Sequence, residues 1–276
     1  MQPAPPLLLT LEGGRARIVL NRPEAHNALS PPLVEALHGA LDAIEAAPGL
    51  RVVTIEGAGP SFCAGADLKF FLGALEDEVL LAGFLGDLRR AMTRLEALPL
   101  PVLAVLHGFV LAGGLELMLA CDLAIAAEDA VLGDQHINFA LIPGGGGTQR
   151  LPRLIGQRRA RELMFTGARV DGRRAEAIGL VNQAVPGGQL EQAAARWVET
   201  LSGKTPVGLA RIKQLATLAA DSALEAGLDA EAEVFAAHTR HPHLHEGLRA
   251  FVEKRPPHFT EEPAGDGKPP QHRKKK

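Results

Sequence analysis

Residues 107–122 read HGFVLAGGLELMLACD, and the fold turns on how this stretch is parsed. Ahead of it lies an apolar run, PVLAVLHG (101–108), too short for a helix and suited to a buried strand. The glycine pair Gly113–Gly114 marks a tight turn into a helix, and DLAIAAED (122–129) resumes as a strand. Inside the helix sits one carboxylate, Glu116, between Leu115, Leu117, Met118 and Leu119. A capping role near the helix start is the simplest reading of that carboxylate, because the helix dipole favours negative charge there. It leaves the apolar neighbours unexplained. Desolvation among them would raise the proton affinity of Glu116 toward the range useful for general acid/base chemistry.

The same alternation extends on both sides. RARIVLN (15–21) and RVVTIEG (51–57) read as strands, PPLVEALHGALDAIEAA (31–47) as the helix between them, and a further helical segment spans about 77–98. Strand and helix in turn predict an α/β domain. From about residue 157 strand signals fade, and helical patterns follow at 157–165, 172–178, 188–202, 206–219, 221–239 and 243–253. The expected organisation is a core over 1–200, a helical region over 201–259 and a disordered tail over 260–276, where proline, glycine and charge disfavour a packed core. The opening MQPAPPLLLT has no basic region and too few apolar residues for a signal peptide, and is expected to be a flexible start.

Hydrophobic residues make up 46% of the chain and charged residues 22%, the balance of a soluble globular protein. A formal net charge of −3 provides no broad basic surface for nucleic acid. No apolar run approaches the ~18–20 residues needed to cross a bilayer, so no membrane partner is expected. Cys63 and Cys121 have neither disulfide-framework nor metal-ligand spacing, which fits a reduced, cytoplasmic setting. The histidines of AHTRHPHLH (237–245) lack an accompanying carboxylate or cysteine set and are read as a solvated turn between helices, not a metal site.

Three stretches carry chemistry. GPSFCAGADLKF (59–70) and residues 107–122 each place small residues between a strand and a helix, where backbone N–H groups lacking intrahelical partners can hold an oxygen that gains negative charge. For either loop alone, a plain tight turn explains the glycines as well. The third, VLGDQHINFALIPGGGGTQRLPRLIG (131–156), contains four consecutive glycines but matches neither GxxxxGK[ST] nor GxGxxG after a strand, so no nucleotide site is expected.

Taken together, FCAGADLK (62–69), HGFVLAGGLELMLACDLAIA (107–126) and IPGGGGTQRLPRLIG (142–156) resemble the enoyl-CoA hydratase/isomerase (crotonase) superfamily in order and spacing, and the likeness runs from residue 20 to 259. The resemblance implies a crotonase-like spiral of repeated β-β-α units, followed by a helical C-terminal region that assembles trimers, often paired as hexamers. It implies an acyl-CoA thioester substrate and no separate cofactor, coenzyme A being part of the substrate. The thioester oxygen would be held by the backbone N–H groups of Ala66 and Gly113, and Glu116 would be one of two glutamates that activate the added water.

The second glutamate of that pattern falls seven residues before Pro143, where this chain has His136. Two readings of His136 stand: a working group that donates a proton to the substrate α-carbon or shares the water with Glu116, or a group that packs or hydrogen-bonds beside a pocket that has lost full hydratase activity. Asp134, taken as lying on the same strand face but displaced by ~7 Å, is not expected to substitute. Hydration of a 2-enoyl-CoA is the leading reaction, with double-bond isomerisation and a hydration-deficient acyl-CoA binding homologue as alternatives. The resemblance further assigns Ala25, Ala64, Ala66, Asp67 and Leu68 to coenzyme A contacts; Lys69 and Lys254 are candidates to meet its phosphates, with plain surface solvation as the alternative for a lone lysine. Phe70, Phe71 and Phe84 are expected on an apolar acyl pocket lined by a helix over 67–85.

Overall fold

The computed structural model describes residues 4–259. Its first strand, β1 (Leu7–Glu12), runs antiparallel to β2 (Arg15–Leu20). The connection is Gly13–Gly14, with φ of +57° and +76°, the backbone region that a two-residue hairpin turn demands and that glycine adopts without penalty. The expected flexible start is thus corrected. Leu7 turns inward and is buried, and the Gly-Gly pair ahead of RARIVL was the hairpin signal.

Helix α1 (Pro31–Ala46) follows, burying Leu33, Val34, Leu37, Leu41 and Ile44 at helical spacing. Then come β3 (Val52–Gly57), α2 (Leu68–Ala74) and α3 (Glu78–Ala97). The single helix expected over 67–85 is two: the Asp77 carboxylate accepts from the Leu80 N–H at 2.9 Å and starts α3 afresh.

The centre of the chain supplies β4 (Val102–Leu106), β5 (Phe109–Leu111), α4 (Gly113–Leu119), β6 (Leu123–Ala127) and β7 (Val131–Gly133). Beyond them lie α5 (Gly147–Ile155), α6 (Gln157–Thr166), β8 (Val170–Asp171), α7 (Gly172–Ala177), β9 (Gln183–Val185) and α8 (Leu190–Ser202). Among the described residues two strands therefore persist past residue 157. Each is only two or three residues long, too short to show a period. α5 also lacked a helical signature, since it follows a glycine run and contains Pro152. The last described elements are α9 (Pro206–Ala219), α10 (Leu224–His238) and α11 (Pro242–Glu253).

One sheet has the order β1-β2-β3-β4-β6-β9, parallel throughout except for the β1–β2 pair. Its central strand β4 is buried at every residue, as expected for a parallel strand covered on both faces. A second sheet has the order β5-β7-β8. The chain passes repeatedly from the first sheet to the second and then into helix: β4, β5, α4, and next β6, β7, α5. One turn earlier Cys63 plays the part of the second strand, pairing in parallel with Val110 between β3 and α2. The loops that leave the second sheet are thereby stacked side by side.

The expected tail, 260–276, lies outside the described residues. At the α10–α11 turn the expectation of solvated histidines is corrected for His243. It is buried, and its Nδ1 lies 2.9 Å from the Thr205 hydroxyl. No helix among the described residues is long and apolar enough to cross a membrane.

Candidate active site

Gly114 brings the two glycine-bearing loops into contact. A Cβ built on it would lie 2.1 Å from the Cys63 carbonyl oxygen, so only glycine allows this approach. The neighbouring Gly113 faces Ala66, a Cβ built there meeting the Ala66 nitrogen at 3.5 Å. Ala112, which enters α4, takes φ +47° and ψ −118°, and its N–H is tied to the Gly133 carbonyl at 3.0 Å. A non-glycine residue held in that region is strained, by about 1–3 kcal/mol, and the ladder around it must enforce it. The backbones of Ala66 and Gly113 are thereby brought together, and neither N–H donates to an acceptor among the described residues.

Both residues line a cavity of about 320 Å³, together with Phe71, Phe84, Glu116 and His136. The remaining wall is apolar, from Leu85 and Leu88 of α3 to Leu141–Pro143. Glu116 is 2% exposed. Its Oε1 accepts two backbone hydrogen bonds, from the N–H groups of Gly145 and Gly147, each at 2.8 Å. The four-glycine run, which matched no phosphate motif, therefore turns its amides on a carboxylate of the protein itself. Burial pushes the Glu116 pKa up; those two amides and the nearby His136 oppose the rise without cancelling it.

The other carboxylate oxygen, Oε2, lies 3.8 Å from His136 Nε2. The far side of that ring is held in turn: His136 Nδ1 is 3.1 Å from Asp134 Oδ1, and the His136 N–H donates to the Asp134 carbonyl at 2.8 Å. Here the sequence reading is corrected. β7 ends at Gly133, Gln135 is left-handed at φ +61°, and His136 begins a short 3-10 turn, so residues 134–136 are not extended. The bend folds the Asp134 side chain onto the imidazole instead of displacing it along a strand. Burial disfavours the His136 cation, but Asp134, by hydrogen bond and charge, and Glu116, by charge, outweigh it and hold the pKa above the ordinary value.

The other expected residues are more scattered. Asp67 caps α2 by accepting from the Phe70 N–H at 3.3 Å and pairs with Arg22 at 2.9 Å, a partner the sequence reading missed. Burial opposes its ionisation, but Arg22 and the capping bond hold its pKa below the usual carboxylate value. Ala64 donates to the His26 carbonyl at 3.0 Å, and Ala25 lies one residue before His26, in the loop after β2. Leu68, Lys69 and Lys254 are exposed. Phe71 and Phe84 reach the cavity wall, and Leu68 joins them there. Phe70 packs edge-on against Phe84, with ring centroids 5.0 Å apart, and lines a separate cavity with Pro31 and Val34. Cys63, its thiol pushed up to about 12 by burial, is a packing residue and not a nucleophile.

The family model described as enoyl-CoA hydratase/isomerase matches residues 10–262. Among curated proteins the chain is 38% identical over 256 residues to the enoyl-CoA isomerase/hydratase fer4 of Mycosarcoma maydis, covering 90% of this chain and 93% of that protein. It is 39% identical over 259 residues to the mitochondrial methylglutaconyl-CoA hydratase of Mus musculus, covering 91% and 82%. The crystal structure of an enoyl-CoA hydratase from Bacillus anthracis superposes with a TM-score of 0.89 at 39% identity, over 93% of this chain and all (100%) of that one. Paired loop amides, a buried glutamate between them and the glycine run, and these likenesses lead to one conclusion: the chain belongs to the enoyl-CoA hydratase/isomerase family.

Proposed function

We propose that this protein adds water across the double bond of a 2-enoyl-CoA thioester to form a 3-hydroxyacyl-CoA. One observation carries the reading: Ala66, Gly113, Glu116 and His136 line a single, largely apolar cavity. The two N–H groups hold the thioester oxygen. As Glu116 takes a proton from water, the water oxygen bonds to the β-carbon and the π electrons move through the α-carbon onto the thioester oxygen. The enolate charge develops against the two amides, where one such donor is worth about 2.7–4 kcal/mol of transition-state stabilisation. His136 then gives its Nε2 proton to the α-carbon. Glu116 is left with one proton more and His136 with one fewer; their facing atoms are 3.8 Å apart, beyond direct hydrogen-bond reach, so a water entering as product leaves relays the proton that restores both.

Phe71 and Phe84 form the acyl wall in this reading, while Ala25, Ala64, Leu68 and the exposed Lys69 and Lys254 lie along the path of coenzyme A. The homotrimer, or hexamer of two trimers, belongs to the same proposal. Apolar side chains left exposed on α9, α10 and α11, among them Ile212, Leu228, Phe235 and Phe251, support it.

A panel of enoyl-CoA thioesters, with products followed by mass spectrometry, tests the reaction. Turnover is expected, and Glu116→Ala should lower kcat by about 10²–10⁴. Binding of the thioesters without hydration would refute the reading. Conversion of a 3-enoyl-CoA to its 2-enoyl isomer without hydration would assign the Glu116–His136 pair to proton shuttling alone.

A further inference from the structure

Asp134 is 1% exposed, and the His136 ring is the one hydrogen-bond donor its carboxylate meets among the described residues. Its second oxygen, Oδ2, is buried with no partner there at all. Among the described residues such a carboxylate has the imidazole as its only compensating charge, and the imidazole faces the cavity with its other nitrogen. We propose that Asp134 is a positioning residue: it holds Nδ1–H of His136, so that Nε2 carries the transferable proton toward the cavity and Glu116. The proposal rests on the hydratase reading of this site and adds the device that lets a histidine serve where the resemblance places a carboxylic acid. A neutral, freely rotating imidazole would present either tautomer. Bound to Asp134 it presents one, and the cation that must form each turnover is stabilised by the adjacent charge.

The other surroundings of His136 leave that role to Asp134. On the cavity wall Glu116 is the one other titratable group, and the α3 side chains that close it, Phe84, Leu85 and Leu88, are apolar. Arg169, before β8, donates to Gln135 Oε1 at 3.0 Å. Arg150 of α5 is taken by Glu96 at 2.8 Å.

Asp134→Asn keeps the shape and removes the charge. Its kcat is expected to fall by about 10², the lower end of what a positioned acid contributes, with KM little changed. The alkaline limb of its kcat–pH profile should move to lower pH by about 1–3 units, the effect of losing one carboxylate against the ring. A merely structural residue would lower the folded fraction without moving that limb. The second measurement needs no substrate. In the wild-type protein labelled with ¹⁵N-histidine, the resonance missing in His136→Gln should report a ring protonated at Nδ1 and titrating above 6.5, the ordinary value. In Asp134→Asn it should titrate lower. An alkaline limb and a His136 titration both unmoved in the variant, or a wild-type neutral ring protonated at Nε2 with Nδ1 bare, would overturn the proposal. Absence of hydration with a normal His136 titration would instead sink the reaction reading and leave the dyad standing, so the two failures are distinct.

Discussion

Gly114→Ala is the sharpest test of the site, because it adds one methyl group and changes no charge. The new Cβ would stand 2.1 Å from the Cys63 carbonyl oxygen and 2.8 Å from its carbon, both backbone atoms. Relief to an ordinary contact requires the loops to part by about 1 Å, and a misplacement of that size at a reacting centre costs on the order of 10² in rate. The same carbonyl accepts from the Leu111 N–H at 3.0 Å, so the movement strains the ladder that places Ala112 and Gly113. We expect kcat/KM on an enoyl-CoA to drop by about 10²–10³, as for loss of one oxyanion donor. Thermal stability should fall by about 1–3 kcal/mol, the usual cost of overpacking a tight site. Steady-state kinetics below the melting transition, paired with calorimetry, separates the two effects. Gly39→Ala is the control: it lies on the exposed face of α1, where an added Cβ meets nothing within 4 Å, and should stabilise by about 1 kcal/mol with no change in activity. Wild-type kcat/KM in Gly114→Ala would refute the claim that this contact sets the amide geometry.

Two other substitutions probe the electrostatics. Because burial raises the Glu116 pKa above its ordinary 4.5, the stability this group contributes is fully present below that pH and is lost as the pH rises through the folded value. Glu116→Gln, which can still accept from Gly145 and Gly147, should therefore melt higher than wild type at pH 7–8 and converge with it near pH 4, by about 1.4 kcal/mol for each tenfold rise in proton affinity that folding imposes on the carboxylate; a variant less stable at pH 8 than at pH 4, relative to wild type, contradicts the sign. His136→Glu restores the two-glutamate pattern but strips the buried Asp134 of the one donor its carboxylate has among the described residues, so it should lose about 3–5 kcal/mol in chemical denaturation. Adding Asp134→Asn to it should recover most of that loss; a single variant as stable as the double would show that Asp134 and the residue at 136 are not coupled.

What the sequence by itself determined was everything local or repetitive enough to leave a period or a turn signature. The β4 run, the glycine pair opening α4 and the helical spacing of α1 and α8 to α11 were legible, because side-chain burial on one element sets its own pattern. Glu116 stood out for the same reason, as a charge in an apolar helix. The Gly13–Gly14 hairpin carries an equally readable turn signature. Short β8 and β9 left no pattern, and α5 was masked by its glycines and Pro152. Tertiary structure alone decided the rest. Residues 29 and 31 positions apart donate to one oxygen of Glu116, and a loop 47 residues before Gly113 sets Ala66 against it. The left-handed turn at Gln135 brings Asp134 onto His136, where spacing along a strand would have parted them. Such contacts follow from the stacking of successive turns of the chain, and a one-dimensional pattern does not record which loops the stacking will join.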